Sequence, residues 1–235
     1  PRGATSEVFR RASTTRLDRS GGGFRSALEE PRGLCLAIAF GRAQAEAMGQ
    51  TALADAAFAD LWTWSLSEVE LGQIVARQVA ISSWFNRLEE AVDLGLAGLA
   101  RLGLAFRRSP ALPLAVLEVL RGWLALGRRP LEDLQALPEL QDPLVRARLD
   151  VLGEVSFVAP YVSPPLLLAL AGYSTRTIRR HGYHVGLSRL LTQLGMAIGV
   201  IGKARAAAAL CDRALALAQL RSTRPLDLVN ARALA

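Results

Sequence analysis

Few side chains in this sequence could do chemistry, and most of those that could have a structural reason for their place. His181 and His184 are three apart, so two imidazoles could share one metal ion. Gly182 between them reads as a helix end, and no third ligand is near in sequence. Capping of a helix C-terminus by a cation explains the pair better. Gly199-Val200-Ile201-Gly202-Lys203 echoes a phosphate-binding loop. That loop needs a glycine where Ala197 stands, a hydroxyl where Ala204 stands, and a preceding strand. It reads instead as a turn between helices. Glu139, Asp142 and Asp150 are candidates for acid–base work. Asp142 precedes Pro143 and reads as a helix N-cap, and the other two as surface charges. Cys35 and Cys211 sit among apolar neighbours and read as buried, inert thiols. Two cysteines exclude a disulfide framework and a cysteine zinc cluster. Trp62, Trp64, Trp84 and Trp123 occupy helix positions suited to packing, with a ligand cage as the alternative. Arg10-Arg11-Ala12-Ser13 would suit a basophilic kinase, since two cations precede a hydroxyl. No catalytic, cofactor-binding or metal-ligating residue is assigned.

The elements that must position these groups are helical. Apolar residues make up 51% of the 235 positions and aromatics only 6%, with alanine and leucine dominant. That mix favours helices over sheets and a packed core over disorder. The net charge is +7, and every basic residue except Lys203 is arginine, which looks like a coding bias. Arg101, Arg107, Arg108, Arg121, Arg128 and Arg129 form one cluster, with Glu118 the sole acid in that span. Arg176, Arg179, Arg180 and Arg189 form another. Either could be a phosphate-binding stripe, but no aromatics are interleaved for stacking. They read as solvated helix faces and C-terminal turns, and neither a nucleic-acid nor a membrane partner is expected. The apolar run Val155 to Ile178 contains Pro160, Pro164 and Pro165, which argue against a membrane span. With no signal-peptide pattern, a cytoplasmic location is expected. A start at Pro1 and a stop at Ala235 in mid-pattern read as a segment of a longer polypeptide.

Residues 1–33 read as a flexible or poorly packed lead-in, 34–221 as one helical repeat domain, and 222–235 as the start of a truncated next element. Leu34 to Met48 and Thr51 to Thr63 form a first pair, broken at Gly49. Ser67 and Glu70 make a capping box for a helix to about Phe85. Asn86 turns the chain, and the next helix runs from Leu88 to Leu102, ending at Gly103. Pro113 opens a helix ending near Gly127, and Pro130 a short one to Leu137. Asp142-Pro143 starts a helix to about Phe157. Ser163-Pro164 repeats the device for a helix ending at His181, with Gly182 as a left-handed cap. Helices from Tyr183 to Ile201 and Lys203 to Leu220 close the series. No alternating strand pattern of useful length is present.

The clearest repeat unit spans Leu191 to Leu217. Small residues at Gly195 and Ala207 let two antiparallel helices approach, while Leu191, Ile198 and Leu210 fill the gap to the next pair. Ala91, flanked by Leu88 and Leu94, marks a degenerate second unit with Val79 and Ser82 at its glycine and aromatic sites. Ala54 and Phe58 mark a third. One such unit cannot bury its apolar face alone, so several must stack. The expected fold is all-α: antiparallel helix pairs stacked as a tetratricopeptide-like superhelix.

Leu137-Pro138-Glu139-Leu140-Gln141-Asp142-Pro143 carries a resemblance to the helical-repeat region of large bacterial signalling proteins. Leu88 to Leu96 with Leu102-Gly103, Leu131 to Leu134, Ala159-Pro160-Tyr161 with Ser163 to Leu166, and Gly202 to Ala214 extend it. The family combines a Ser/Thr kinase-like domain, an AAA-type ATPase module, this repeat region, a GAF sensor and often a histidine kinase. After His181-Gly182 it usually continues Asn-Ser-Pro, where this chain has Tyr183-His184-Val185. The resemblance implies a parent that is a protein kinase using ATP, with no active site and no cofactor in this segment. The expected function is a non-catalytic scaffold that contacts a protein, a peptide or neighbouring domains of the same chain. Its rivals are a free-standing peptide-docking repeat protein and the repeat arm of an ATP-dependent transcription regulator.

Overall fold

The computed structural model describes residues 51–62 and 66–221. The chain divides into two compact units, Pro1–Ala57 and Phe58–Ala235. Of the first, only the opening turns of helix α1 (Thr51–Trp62) are described. The expected helix from Leu34 to Met48, the lead-in, Cys35, Trp64 and residues 222–235 lie outside the described residues.

Local signals set the helix boundaries of the second unit. Helix α2 (Glu68–Trp84) starts with the expected capping box. The Ser67 N–H donates to Glu70 Oε2 at 2.7 Å, and the Glu70 N–H to Ser67 Oγ at 3.3 Å. It ends where Asn86 takes φ 58°, a conformation asparagine tolerates better than most residues. Helix α3 (Leu88–Arg101) ends at Gly103, φ 81°. At both ends the residue after the positive φ donates to a carbonyl five positions back: Arg87 to Ser82 and Leu104 to Leu99. This closes the orphan carbonyls of the last turn.

Helix α4 (Leu112–Gly122) continues as a π-helical turn, Trp123–Gly127. A five-residue helix α5 (Leu131–Gln135) follows, shorter than the expected stretch to Leu137. Helix α6 (Pro143–Val162) is capped by Asp142, whose Oδ1 accepts the Leu144 and Val145 N–H groups at 2.9 and 3.1 Å. It passes the expected end at Phe157 and takes in Pro160. The proline forfeits only one bond in a final turn, which the Ser163 N–H still closes onto Ala159 at 2.8 Å. Helix α7 (Pro164–His181) starts at Ser163 as expected, but the buried Ser163 side chain makes no capping bond. Helix α8 (Leu187–Val200) begins four residues later than the expected Tyr183, and helix α9 is Ala204–Arg221.

Gly182 explains that delay. Its φ of 108° with ψ −171° is an extended, glycine-only conformation and not the left-handed helical cap expected. A Cβ there would overlap the Pro138 carbonyl. The chain then runs beside the α5–α6 connection. Tyr183 donates to Pro138 O at 2.6 Å, and Leu140 donates to Tyr183 O at 2.9 Å. The resulting Glu139–Tyr183 bridge is the one β-type pairing among the described residues.

Packing follows from where side chains are small. Gly98 faces Val75 and Gly95 faces Val79, so α2 and α3 are antiparallel. Gly72 faces Ala147, while Gly95 faces Val155, so α2 and α6 run parallel with α3 against both. The α8–α9 pair is antiparallel, with a Cβ at Gly195 meeting Cys211 Sγ at 2.9 Å and Ala207 O at 3.3 Å. Helix α4 leaves α3 and crosses α7, where Gly122 meets Gly172 backbone to backbone. Helix α6 thus touches α2, α3, α7 and α8. Its Val151, Leu152 and Val155 are fully buried, together with Leu166, Leu167 and Leu168 of α7. All regular elements among the described residues are helices, and none is long and apolar enough to cross a membrane.

Candidate functional site

The helix faces of α6 and α7 turn toward each other at one end of the pair and leave a cleft of about 250 Å³. Helix α7 presents Tyr173, Arg176, Thr177 and Arg180 at spacings of three and four, so one face carries all of them. Helix α6 presents Val145, Arg148 and Leu152 by the same periodicity, and Leu104 closes the cleft from the α3–α4 connection. Tyr173 is fixed edge-on by Phe106, with ring centroids 5.4 Å apart and planes at 88°. The Thr177 hydroxyl donates to Tyr173 O at 3.0 Å.

The cleft is cationic. Arg148 is held by its Nε, which donates to Leu102 O at 2.8 Å. Arg176 pairs with Glu118 across the α4–α7 crossing, leaving its Nε buried with no hydrogen-bond partner. Arg180 and His181 are exposed at the rim and pair with no carboxylate among the described residues. The one acid in the wall is Asp142, whose Oδ1 is engaged by the α6 amides.

The other residues singled out in the sequence distribute as follows. His184 is buried, away from the exposed His181, and no group of three His, Cys, Asp or Glu gathers among the described residues. Its Nδ1 accepts the Gly186 N–H at 3.1 Å, and its buried Nε2 lies 3.3 Å from Asp150 Oδ1 without a hydrogen bond. Asp150 therefore stands beside this buried histidine and is not a plain surface charge. Gly202, φ 81°, turns the chain between α8 and α9 where the phosphate-loop echo lies. Cys211 is buried, and desolvation, with a smaller push from the Asp212 charge, raises its thiol above the ordinary range.

Trp62 packs as expected, with Nε1 donating to Gln78 Oε1 at 2.9 Å and the Arg101 guanidinium over its ring. Trp123 carries Arg128 in the same way. Trp84 does not pack: it is 62% exposed at the end of α2, because the chain turns at Asn86 before anything covers it.

The two arginine clusters meet at Glu118, which pairs with Arg121 of the first and Arg176 of the second. Arg108 pairs with Glu89 and Asp93, Arg121 with Glu118, Arg129 with Asp133, and Arg189 with Glu154. Only Arg176 and Arg180 of the second cluster reach the cleft, where they meet Arg148, which no sequence signal had joined to them. No family model, curated protein or solved structure matches the chain.

Proposed function

We propose that the chain is a non-catalytic helical scaffold: a protein-contact segment of a bacterial multidomain signalling kinase that carries an ATPase module elsewhere. The observation that carries this reading is the apolar outer face of α4. Leu114 and Leu117 on α4, and Leu124 in the π-helical turn that continues it, are 63%, 42% and 60% exposed. Leucines so exposed gain free energy when another protein surface covers them. Phe157 and Tyr161 on α6, and Trp84 with Phe85 after α2, add exposed large apolar groups at one end of the parallel α2–α6 pair. The tetratricopeptide-like superhelix belongs to the same proposal. The antiparallel pairs α2–α3 and α8–α9, each with glycines in its contact face, support it. The seating of α6 against α2, in the place a regular stack would give to α4, counts against it.

The test has two parts. The reading frame around this segment should encode kinase or ATPase signatures, and a frame without them removes the signalling assignment. A Leu114→Glu, Leu124→Glu double variant should keep its melting temperature, since both side chains face water. In the parent polypeptide it should abolish photo-crosslinking from position 117 to neighbouring protein. A fall in melting temperature of more than about 4 °C would mean that these leucines pack internally, which would end the docking reading.

A further inference from the structure

We infer that the cleft between α6 and α7 binds the phosphate monoester group of a small organic molecule. This stands apart from the scaffold reading and needs no partner protein. Three arginines, Arg148, Arg176 and Arg180, line one space of about 250 Å³ from two different helices. Guanidinium forks match phosphate oxygens and hold the charge of a dianion. Two carboxylates offset part of this charge. Asp142 accepts two backbone amides, and Glu118 is shared between Arg121 and Arg176.

The decisive detail is the Arg176 Nε–H. It is buried and donates to nothing, although an unmet buried donor is costly. Arg180 has no ion pair among the described residues, so it is free to close over an anion from the rim.

The rest of the lining explains why the ligand is organic and small. Leu104, Val145, Leu152 and the Tyr173 ring are apolar or aromatic, and they leave room for a few carbon atoms beyond the phosphate. A nucleic-acid backbone fits less well. Arg108, Arg121, Arg129 and Arg189 of the basic clusters pair with carboxylates, and Arg101 and Arg128 lie over the Trp62 and Trp123 rings, so few of these arginines are left to extend a track from the cleft.

Calorimetric titration of the whole chain tests this with three probes: inorganic phosphate, phenyl phosphate and benzoate. One-to-one binding is expected, tightest for phenyl phosphate and weakest for benzoate, and weakened by added salt. Arg180→Gln should weaken phenyl phosphate about tenfold, the loss of one charge-assisted hydrogen bond, without changing the melting temperature. Arg148→Lys, which keeps the charge but not the fork, should weaken it less. Arg205→Gln on α9, away from the cleft, should change nothing. The proposal is overturned by no saturable binding of either phosphate, by full affinity in Arg180→Gln, or by an equal loss in Arg205→Gln. Benzoate binding as tightly as phenyl phosphate would make the cleft a carboxylate site. Equal affinity for inorganic and phenyl phosphate would remove the organic part of the assignment.

Discussion

Replacing Gly172 by alanine should destabilise the protein, although alanine is the better helix former. In an exposed helix interior the exchange gains about 1 kcal/mol. Here a Cβ would overlap the Glu118 carbonyl group and lie 2.7 Å from the Val119 nitrogen, where ordinary contact begins near 3.4 Å. Both obstacles are backbone of α4, so no side chain can rotate away. The two helices must separate, and buried Ala115, Val119, Leu168 and Ala171 lose contact with one another. Overpacking of this kind costs typically 1–3 kcal/mol, and strain against backbone sits at or above the upper end. Subtracting the helix gain leaves a net loss of about 2 kcal/mol, or roughly 4–8 °C in melting temperature for a chain of this size. Gly199→Ala on α8 is the control. Its Cβ would meet only Ala207 Cβ, at 3.6 Å, and it should be neutral or stabilising by up to about 1 kcal/mol. Gly122→Ala perturbs the same crossing, so the Gly122/Gly172 double variant should lose less than the sum of the singles. Thermal unfolding by circular dichroism reads all four. A Gly172→Ala protein as stable as the parent would refute the backbone-to-backbone crossing.

Two further outcomes are expected. Asp142→Ala removes the acceptor for two α6 amides and should cost about 1 kcal/mol by urea unfolding, while Asp142→Asn should cost little, since asparagine caps as well. In a Cys35→Ser background, Cys211 should resist iodoacetamide at pH 8 and react within minutes once unfolded, because burial favours its neutral thiol. The sign carries over to stability. With the folded thiol raised, the unfolded chain ionises first, so stability falls as pH rises past the ordinary thiol value.

The helix ends were legible because their signals are local. Ser67 with Glu70, Asp142 with Pro143, Asn86, Gly103 and Gly202 each act within five residues, so a short window of sequence contains cause and effect. The tight sites of the last helix pair were legible too: Gly195 does let Cys211 and Ala207 close in, and Leu191, Ile198 and Leu210 are buried. Failures came where a distant segment intervened. Pro138 draws out Tyr183 and shortens α8 at its start. Asp150 reaches His184 from another helix, and Trp84 lacks the cover its helix position suggested. Of the cleft, Arg176 and Arg180 stood out as part of a charge cluster, but nothing distinguished them from Arg179 or Arg189.

Composition, periodicity and capping residues alone determined that the described residues fold into helices, and fixed most of their ends, because helical hydrogen bonds span four residues. Which helices touch was decided only by the tertiary structure. The parallel seating of α6 on α2, the crossing at Gly122 and Gly172, and the meeting of Arg148 with Arg176 all join residues far apart in sequence. Their neighbours are selected by the free energy of packing surfaces against one another, and no short stretch of sequence contains both surfaces.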